Sequence, residues 1–361
     1  MSLAELTINN VRNIISAHIT PSPKINLVVG ENASGKSTVL EAIYLLGRGT
    51  SFRTNTIKSV INEDFDSLLV YGKTTKIAQK TVRIGVRFEK QKREIHIDGK
   101  VIGSKSQLVD ALPVQLISPQ SHSLLEASPK YRRQFLDWGT FHYDKSFLDV
   151  WKRYKRALVQ RNILIKSGNT SEIKIWDQEF IQYGTIVSEK RSAYIEKLKP
   201  VFTRFAEHIL DLKNFDLHHY FGWDIGIGLK KSLFNNMVKD CRYGYTQSGP
   251  HRGDFHLQID GKLAKNFISR GQTKLLVIAL KLAQTTLLRQ KNGVLLIDDL
   301  ASELDEGHRL RVLELLSEIK TQIFITAIRT EDIGMLQCEY KQIFHIQKGK
   351  IQPLERMGSI Q

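Results

Sequence analysis

Cysteine is nearly missing from this 361-residue chain, in which only Cys241 and Cys338 occur. Neither has a second Cys or a His at metal-ligand spacing, so the pattern excludes a disulfide framework and a zinc site and fits a reduced, cytoplasmic setting. Proline is scarce at 8 residues, and no low-complexity tract suggests a linker. The most apolar long stretch, Leu275 to Leu288, is broken by Lys281 and Gln284 and is too short to span a bilayer. The opening Met-Ser-Leu-Ala-Glu-Leu-Thr-Ile-Asn-Asn has no charged lead and no apolar block, so no secretory signal is expected. Neither a sustained heptad nor a repeat occurs, which argues against a long coiled coil and a solenoid. Acidic residues are also in short supply: Asp+Glu 37 against Lys+Arg 53 leaves a net charge of +16. That excess points to a polyanionic partner, nucleic acid before a membrane surface. A hydrophobic fraction of 41% is enough for a folded globule.

What is present begins at Gly30-Glu31-Asn32-Ala33-Ser34-Gly35-Lys36-Ser37, which fits Gly, four residues, Gly-Lys-Ser. An apolar strand, Ile25 to Val29, precedes it and an apolar helix follows through about Leu46. In that context the glycines let successive backbone N–H groups turn inward around phosphates, and the helix adds the positive end of its dipole. Lys36 is then placed to reach the β- and γ-phosphates of ATP, and Ser37 to ligate Mg²⁺.

Around this loop the sequence reads as short strands at Leu3 to Ile8, Ile15 to Ile19, Leu68 to Thr74, Thr81 to Phe88, Arg93 to Ile97 and Val114 to Ile117. An Asp98-Gly99 hairpin turn is expected among them, and a second at Asp260-Gly261. From Pro129 helical periodicity takes over. Phe147, Val150, Trp151, Tyr154, Leu158 and Arg161 recur at three- and four-residue spacing, and Trp176 to Leu210 continues the style. The reading is a nucleotide-binding lobe in two parts, residues 1–125 and 244–361, with a helical lobe inserted at 126–243. Lys152, Arg153, Lys155, Arg156 and Arg161, interleaved with Trp151 and Tyr154, are the candidate DNA-facing surface; a solvated helix face is the plainer alternative.

Downstream, Gly293-Val294-Leu295-Leu296-Ile297-Asp298-Asp299 reads as a strand buried on both faces that ends in two acids. Such acids often only cap the next helix. Paired with a phosphate loop, however, Asp298 suits a Mg²⁺ ligand through water, and Asp299 a group that positions or deprotonates the attacking water. Between loop and acids lies Ser269-Arg270-Gly271-Gln272 at a helix start, either an anion grip or an ordinary Ser N-cap. Ser302-Glu303-Leu304-Asp305 follows the acids.

This ordered set resembles the ABC-type ATPases. Three stretches narrow the resemblance to the RecF family of DNA-repair ATPases. The first is Asn9-Asn10-Val11-Arg12-Asn13, with Leu40 to Gly49 and Ser51-Phe52-Arg53 after the loop. The second is Pro129-Lys130-Tyr131-Arg132-Arg133-Gln134-Phe135-Leu136-Asp137-Trp138. The third is Gly249-Pro250-His251-Arg252-Gly253-Asp254 together with Ser269 to Leu276. The resemblance implies an α/β fold, an ABC-type lobe of mixed β-sheets around the phosphate loop with an inserted helical lobe and no long coiled coil.

It also implies nucleotide contacts from Gly30, Glu31, Asn32, Ala33, Ser34, Gly35, Lys36, Ser37, Thr38, Arg12 and Asn13, and from Ser269, Gly271 and Gln272 across an ATP-dependent homodimer. Gln115 and Gln120 both suit the glutamine that senses nucleotide; Gln120 is favoured because it follows its strand. Lys36, Gln120, Asp298 and Asp299 would be the catalytic set. Ala33 replaces a common glycine, Asp299 replaces the usual glutamate, which suits slow, DNA-stimulated turnover, and Thr326 or a neighbour stands in for a missing histidine at the γ-phosphate. Implied partners are duplex and gapped DNA and mediators of the RecR and RecO type, with roles in recombinase loading and the SOS response. The sequence motif at His251, Arg252 and Asp254 yields no role beyond a polar turn near the lobe junction. The alternative, a nucleotide-binding subunit of an ABC transporter, has no obvious use for the basic charge.

Overall fold

The computed structural model describes residues 2–75, 81–90, 92–169, 172–288, 293–333 and 341–354. Cys338 and the side chain of Ser302 lie outside the described residues. The chain starts with strands β1 (Ser2–Val11), β2 (Ile14–Ile19) and β3 (Ile25–Val29), helix α1 (Lys36–Arg48), strands β4 (Ser67–Thr75), β5 (Thr81–Glu89), β6 (Arg93–Ile97) and β7 (Lys100–Val101), helix α2 (Lys105–Ala111) and strand β8 (Val114–Ile117). Next come α3 (Ser123–Glu126), α4 (Pro129–Tyr143), α5 (Phe147–Ser167), α6 (Ile173–Ile209), β9 (Phe215–Tyr220), α7 (Gly228–Tyr243), β10 (Asp254–Ile259), β11 (Lys262–Leu263) and α8 (Arg270–Thr286). It closes with β12 (Val294–Ile297), α9 (Leu300–Glu303), α10 (Glu306–Glu318), β13 (Gln322–Ala327), β14 (Lys341–Gln347) and β15 (Lys350–Leu354).

These elements form two compact units, 1–121 with 288–361, and 122–287. The first contains two six-stranded sheets. One is antiparallel, ordered β2-β1-β4-β5-β6-β7, and its expected Asp98-Gly99 turn forms with positive φ at both residues. The other is ordered β15-β14-β3-β13-β12-β8 and is parallel except for β15. Strands β3, β8, β12 and β13 are buried along their whole length, as continuous apolar runs in a parallel sheet should be. Helix α1 joins both sheets in one core, through Val39, Leu40, Ala42, Ile43, Leu45 and Leu46. Its insertion costs little because these side chains find apolar partners on either side; each fully buried Leu or Ile contributes about 1.5–3 kcal/mol.

The second unit holds the long helices and the three-stranded sheet β11-β10-β9. Its contents correct the expected boundary at 243/244. Residues 244–287, read from sequence as part of the nucleotide-binding lobe, pack with the helical unit. The reason is a set of polar ties that no local pattern announces. Arg132 donates to both carboxylate oxygens of Asp254, at 2.8 and 2.9 Å, and Arg133 to the Gly253 carbonyl at 2.9 Å. Arg191 donates to the Pro250 carbonyl at 2.7 Å and to Asp137. Thus two of the stretches that carried the family resemblance, 129–138 and 249–254, are fastened to each other.

Candidate nucleotide site and a separate basic helix

The carboxyl ends of β3, β12 and β13 lie side by side, and the residues just beyond them make the site. After β3 the chain enters the loop 30–35. A Cβ at Gly30 would sit 2.3 Å from the Ile346 carbonyl oxygen, and Gly35 has φ 117° with the Asn13 side chain 3.0 Å from where its Cβ would be. Larger residues are therefore excluded at both positions. Ala33 sits at φ 62°, in the left-handed region, which explains why glycine suits this position; alanine costs about 1–2 kcal/mol there. Asn13 latches the loop: its Nδ2 donates to the Ser34 carbonyl at 3.0 Å, and its Oδ1 accepts from Thr38 at 3.1 Å.

Three features fit this cradle to a phosphate chain. Helix α1 begins with no side-chain cap and no acidic residue in its first turn, so its dipole faces the loop uncompensated. The buried Ser34 hydroxyl has no hydrogen-bond partner. Lys36 donates to the Gly30 and Glu31 carbonyls, at 2.8 and 2.9 Å, both of which belong to the loop that a phosphate would enter. Burial pulls its ammonium below the usual lysine range, opposed by the charges of Asp299 and Asp298. Glu31, Asn32 and Ala33 are exposed at the loop's tip.

After β12, Asp298 accepts from the Ser37 hydroxyl at 2.9 Å and from the Thr326 hydroxyl at 2.9 Å, all through Oδ1. The two motifs, 261 residues apart in sequence, therefore meet. Burial raises the Asp298 carboxyl above its ordinary range, against the stabilising effect of the two hydroxyls. Asp299 has a left-handed backbone, φ 57°, and its N–H donates to Thr326 Oγ1 at 2.8 Å. Thr326, expected with its neighbours near the γ-phosphate, links the two acids. It is fully buried, and its hydroxyl donates to the Asp298 carboxylate while accepting from the Asp299 backbone N–H.

Arg12, expected to contact nucleotide, has a partner within the protein. Its guanidinium forms a two-pronged pair with Glu41, a fully buried residue of α1 that also accepts from Ser51. Sequence reading missed Glu41, whose signal was an acid in the middle of an otherwise apolar helix. Gln115 is buried in β8, while Gln120 is exposed three residues beyond the strand's end.

In the helical unit, Ser269 caps α8. Its hydroxyl accepts from the Gln272 N–H at 3.2 Å, and the Gln272 side chain accepts from the Ser269 N–H at 2.9 Å. The plain N-cap reading is therefore realised. Ser269 and Gly271 are nonetheless exposed, and a Cβ at Gly271 would approach only Ser269 Oγ, at 3.8 Å.

The basic helix α5 splits the expected DNA surface. Lys152, Arg153 and Arg156 are exposed; Arg153 lies over Tyr183 and Arg156 over Trp176, with cation-to-ring distances of 5.3 and 5.5 Å. Lys155 is half-buried over Trp151. Arg161 is a correction: it is fully buried, paired with Asp177 and Asp240 at 2.7 Å each and donating to Thr246. It occupies the same helical stripe as Phe147, Tyr154 and Leu158, all buried. That stripe was visible in sequence and was the signal for burial. His251 is partly buried, taking Tyr154 Oη on one ring nitrogen at 2.7 Å and the Thr246 carbonyl on the other at 2.8 Å, and desolvation pushes its pKa down to about 4.

Residues 2–352 match the family of RecF/RecN/SMC N terminal domains. The chain is similar to the DNA replication and repair protein RecF of Shewanella baltica (strain OS223), 41% identical over 98% of this chain and 100% of that protein. It is 40% identical to the RecF of Pseudomonas putida (strain GB-1), over 97% and 98%. Among solved structures it is similar to the recombination mediator protein RecF-ATPrS in the RecFOR pathway, at a TM-score of 0.83 and 27% identity, covering 98% of each chain. The Smc head domain of Pyrococcus furiosus shares the fold, at a TM-score of 0.60 and 16% identity. Among the described residues no helix is long and apolar enough to cross a membrane. With family match, whole-length relatives and joined ATPase motifs in agreement, the chain belongs to the RecF family of DNA replication and repair proteins, within the SMC/ABC-type ATPases.

Proposed function

We propose that this chain is an ATP-dependent DNA-binding protein of recombinational repair that dimerises when it binds ATP. The observation that carries the proposal is Asp298 holding both Ser37 of the phosphate loop and Thr326 of the neighbouring strand through one oxygen. In this reading the loop N–H groups and the uncapped start of α1 bind the β- and γ-phosphates, with the Ser34 hydroxyl among the donors. Lys36 exchanges its two carbonyl partners for phosphate oxygens. Ser37 and Asp298 would hold Mg²⁺, an ion that offsets the phosphate charge and suits few protein ligands, all oxygen. Asp299 positions and deprotonates the attacking water, and its short side chain suits slow turnover. Gln120, beyond the end of β8, senses the nucleotide.

Ser269, Gly271 and Gln272 would close on the γ-phosphate held by a second copy; exposure of the cap and the open space at Gly271 support that role. The exposed Lys152, Arg153 and Arg156, with Lys155, are the proposed DNA face, and the net charge of +16 favours such a partner. Mediators of the RecR and RecO type, recombinase loading at gaps, SOS induction and a cytoplasmic location complete the proposal. Light scattering with and without ATP, on gapped and on intact duplex, tests it. The expected result is an ATP-dependent doubling of mass that Lys36→Met abolishes; a dimer that forms equally without ATP overturns it.

A further inference from the structure

Helix α7 carries an outward apolar stripe for which the nucleotide site and the basic face of α5 have no use. Phe234 and Val238 are 81% and 82% exposed, among the most exposed large hydrophobic side chains of the described residues. Cys241, one helical turn beyond Val238, is also exposed. Phe234, Val238 and Cys241 follow one another at spacings of four and three within α7, which keeps them on a single line along the helix. The opposite face is consumed by packing, since Leu229, Leu233 and Asp240 are buried there. The charged residues along the rim of the stripe are all basic, with the uncharged Asn235 and Met237 among them. Lys230 borders one side and Lys231 and Arg242 the other, all exposed. The helix has a single acid, Asp240, and it is already paired with Arg161.

From this arrangement we infer that α7 is a docking surface for an amphipathic helix of a partner protein, one with apolar residues at heptad spacing and Asp or Glu beside them. Phe234 and Cys241, one heptad apart with Val238 between them, have the spacing that packs against a helix, and the basic charges beside them favour an acidic one. A second copy of α7 is disfavoured, because two basic rims would face each other. Duplex DNA would use the lysines and arginines but would leave Phe234 and Val238 exposed.

The test uses the full chain and a fluorescein-labelled synthetic helix with leucine at the heptad a and d positions and glutamate elsewhere. Controls are the same helix with lysine for glutamate and a glutamate peptide without leucine. Fluorescence anisotropy should show binding of the leucine-glutamate helix only. Phe234→Ser with Val238→Ser should weaken it at least tenfold, and Lys231→Glu with Arg242→Glu comparably, with ATP affinity and circular dichroism unchanged. Equal binding by the serine variant, or by the peptide without leucine, overturns the inference. So does a serine variant that loses duplex affinity or self-association while keeping the peptide, since the face would then belong to DNA or to a second copy.

Discussion

Replacing Arg161 with methionine should destabilise the protein without touching its DNA affinity. Arg161 is fully buried between Asp177 and Asp240, and Asp240 is fully buried as well. Methionine keeps most of the volume but leaves an uncompensated buried carboxylate, a loss of about 3–5 kcal/mol in comparable pairs. In a domain of this size each kcal/mol lowers the melting temperature by about 2–4 °C, so a drop of roughly 10 °C is expected. The loss should also depend on pH. Burial already raises the Asp240 carboxyl above its ordinary range. A carboxyl whose folded pKa exceeds its unfolded one binds more protons when folded; it favours folding at low pH and loses that contribution as pH rises between the two values. Removing Arg161 widens that interval, so the destabilisation should be greater near pH 7 than near pH 5, and Asp240→Asn in the same background should restore most of it. Thermal unfolding followed by circular dichroism at both pH values measures this. An Arg161→Met protein that melts like the wild type yet binds duplex more weakly would refute the buried placement and return Arg161 to the DNA surface.

At the nucleotide site, Asp299→Asn should bind Mg-ATP, hydrolyse it at least roughly a hundredfold more slowly, as losses of a general base do, and accumulate the dimer. Asp298→Asn should instead weaken metal-dependent binding and free Ser37; equal phenotypes in single-turnover assays would end this division of labour. Ser269→Arg should keep ATP affinity, measured by a fluorescent analogue, but stay monomeric in light scattering, and a loss of affinity as severe as that of Lys36→Met would place Ser269 elsewhere. Because each neutralised phosphate contributes about −0.9 to the log–log salt dependence of duplex affinity, Arg153→Glu with Arg156→Glu should flatten that slope while leaving ATP binding intact. An unchanged slope would remove α5 from the DNA interface.

The sequence by itself determined the features that depend on short stretches of backbone. Continuous apolar runs at Ile25–Val29, Val114–Ile117, Val294–Ile297 and Gln322–Ala327 became neighbouring strands of one parallel sheet. The phosphate loop was legible because the glycines, Lys36 and Ser37 act within eight residues, and the acids because they end a buried strand. Tertiary structure decided what depends on a partner arriving from far away. Nothing near Arg132 announces Asp254, 122 residues on, and without that pair the allegiance of 244–287 could not be read. Periodicity put Arg161 on the buried stripe, but its charge spoke for the surface; only Asp177 and Asp240, brought together by folding, make burial tolerable. In the same way Thr326 was identifiable as the residue after the apolar core of a strand, while its task, holding Asp298 and Asp299 in place, exists only because β12 and β13 lie side by side. Backbone rules reach a few residues along the chain, whereas the cost of burying a charge or a hydroxyl is settled by whatever the fold sets against it.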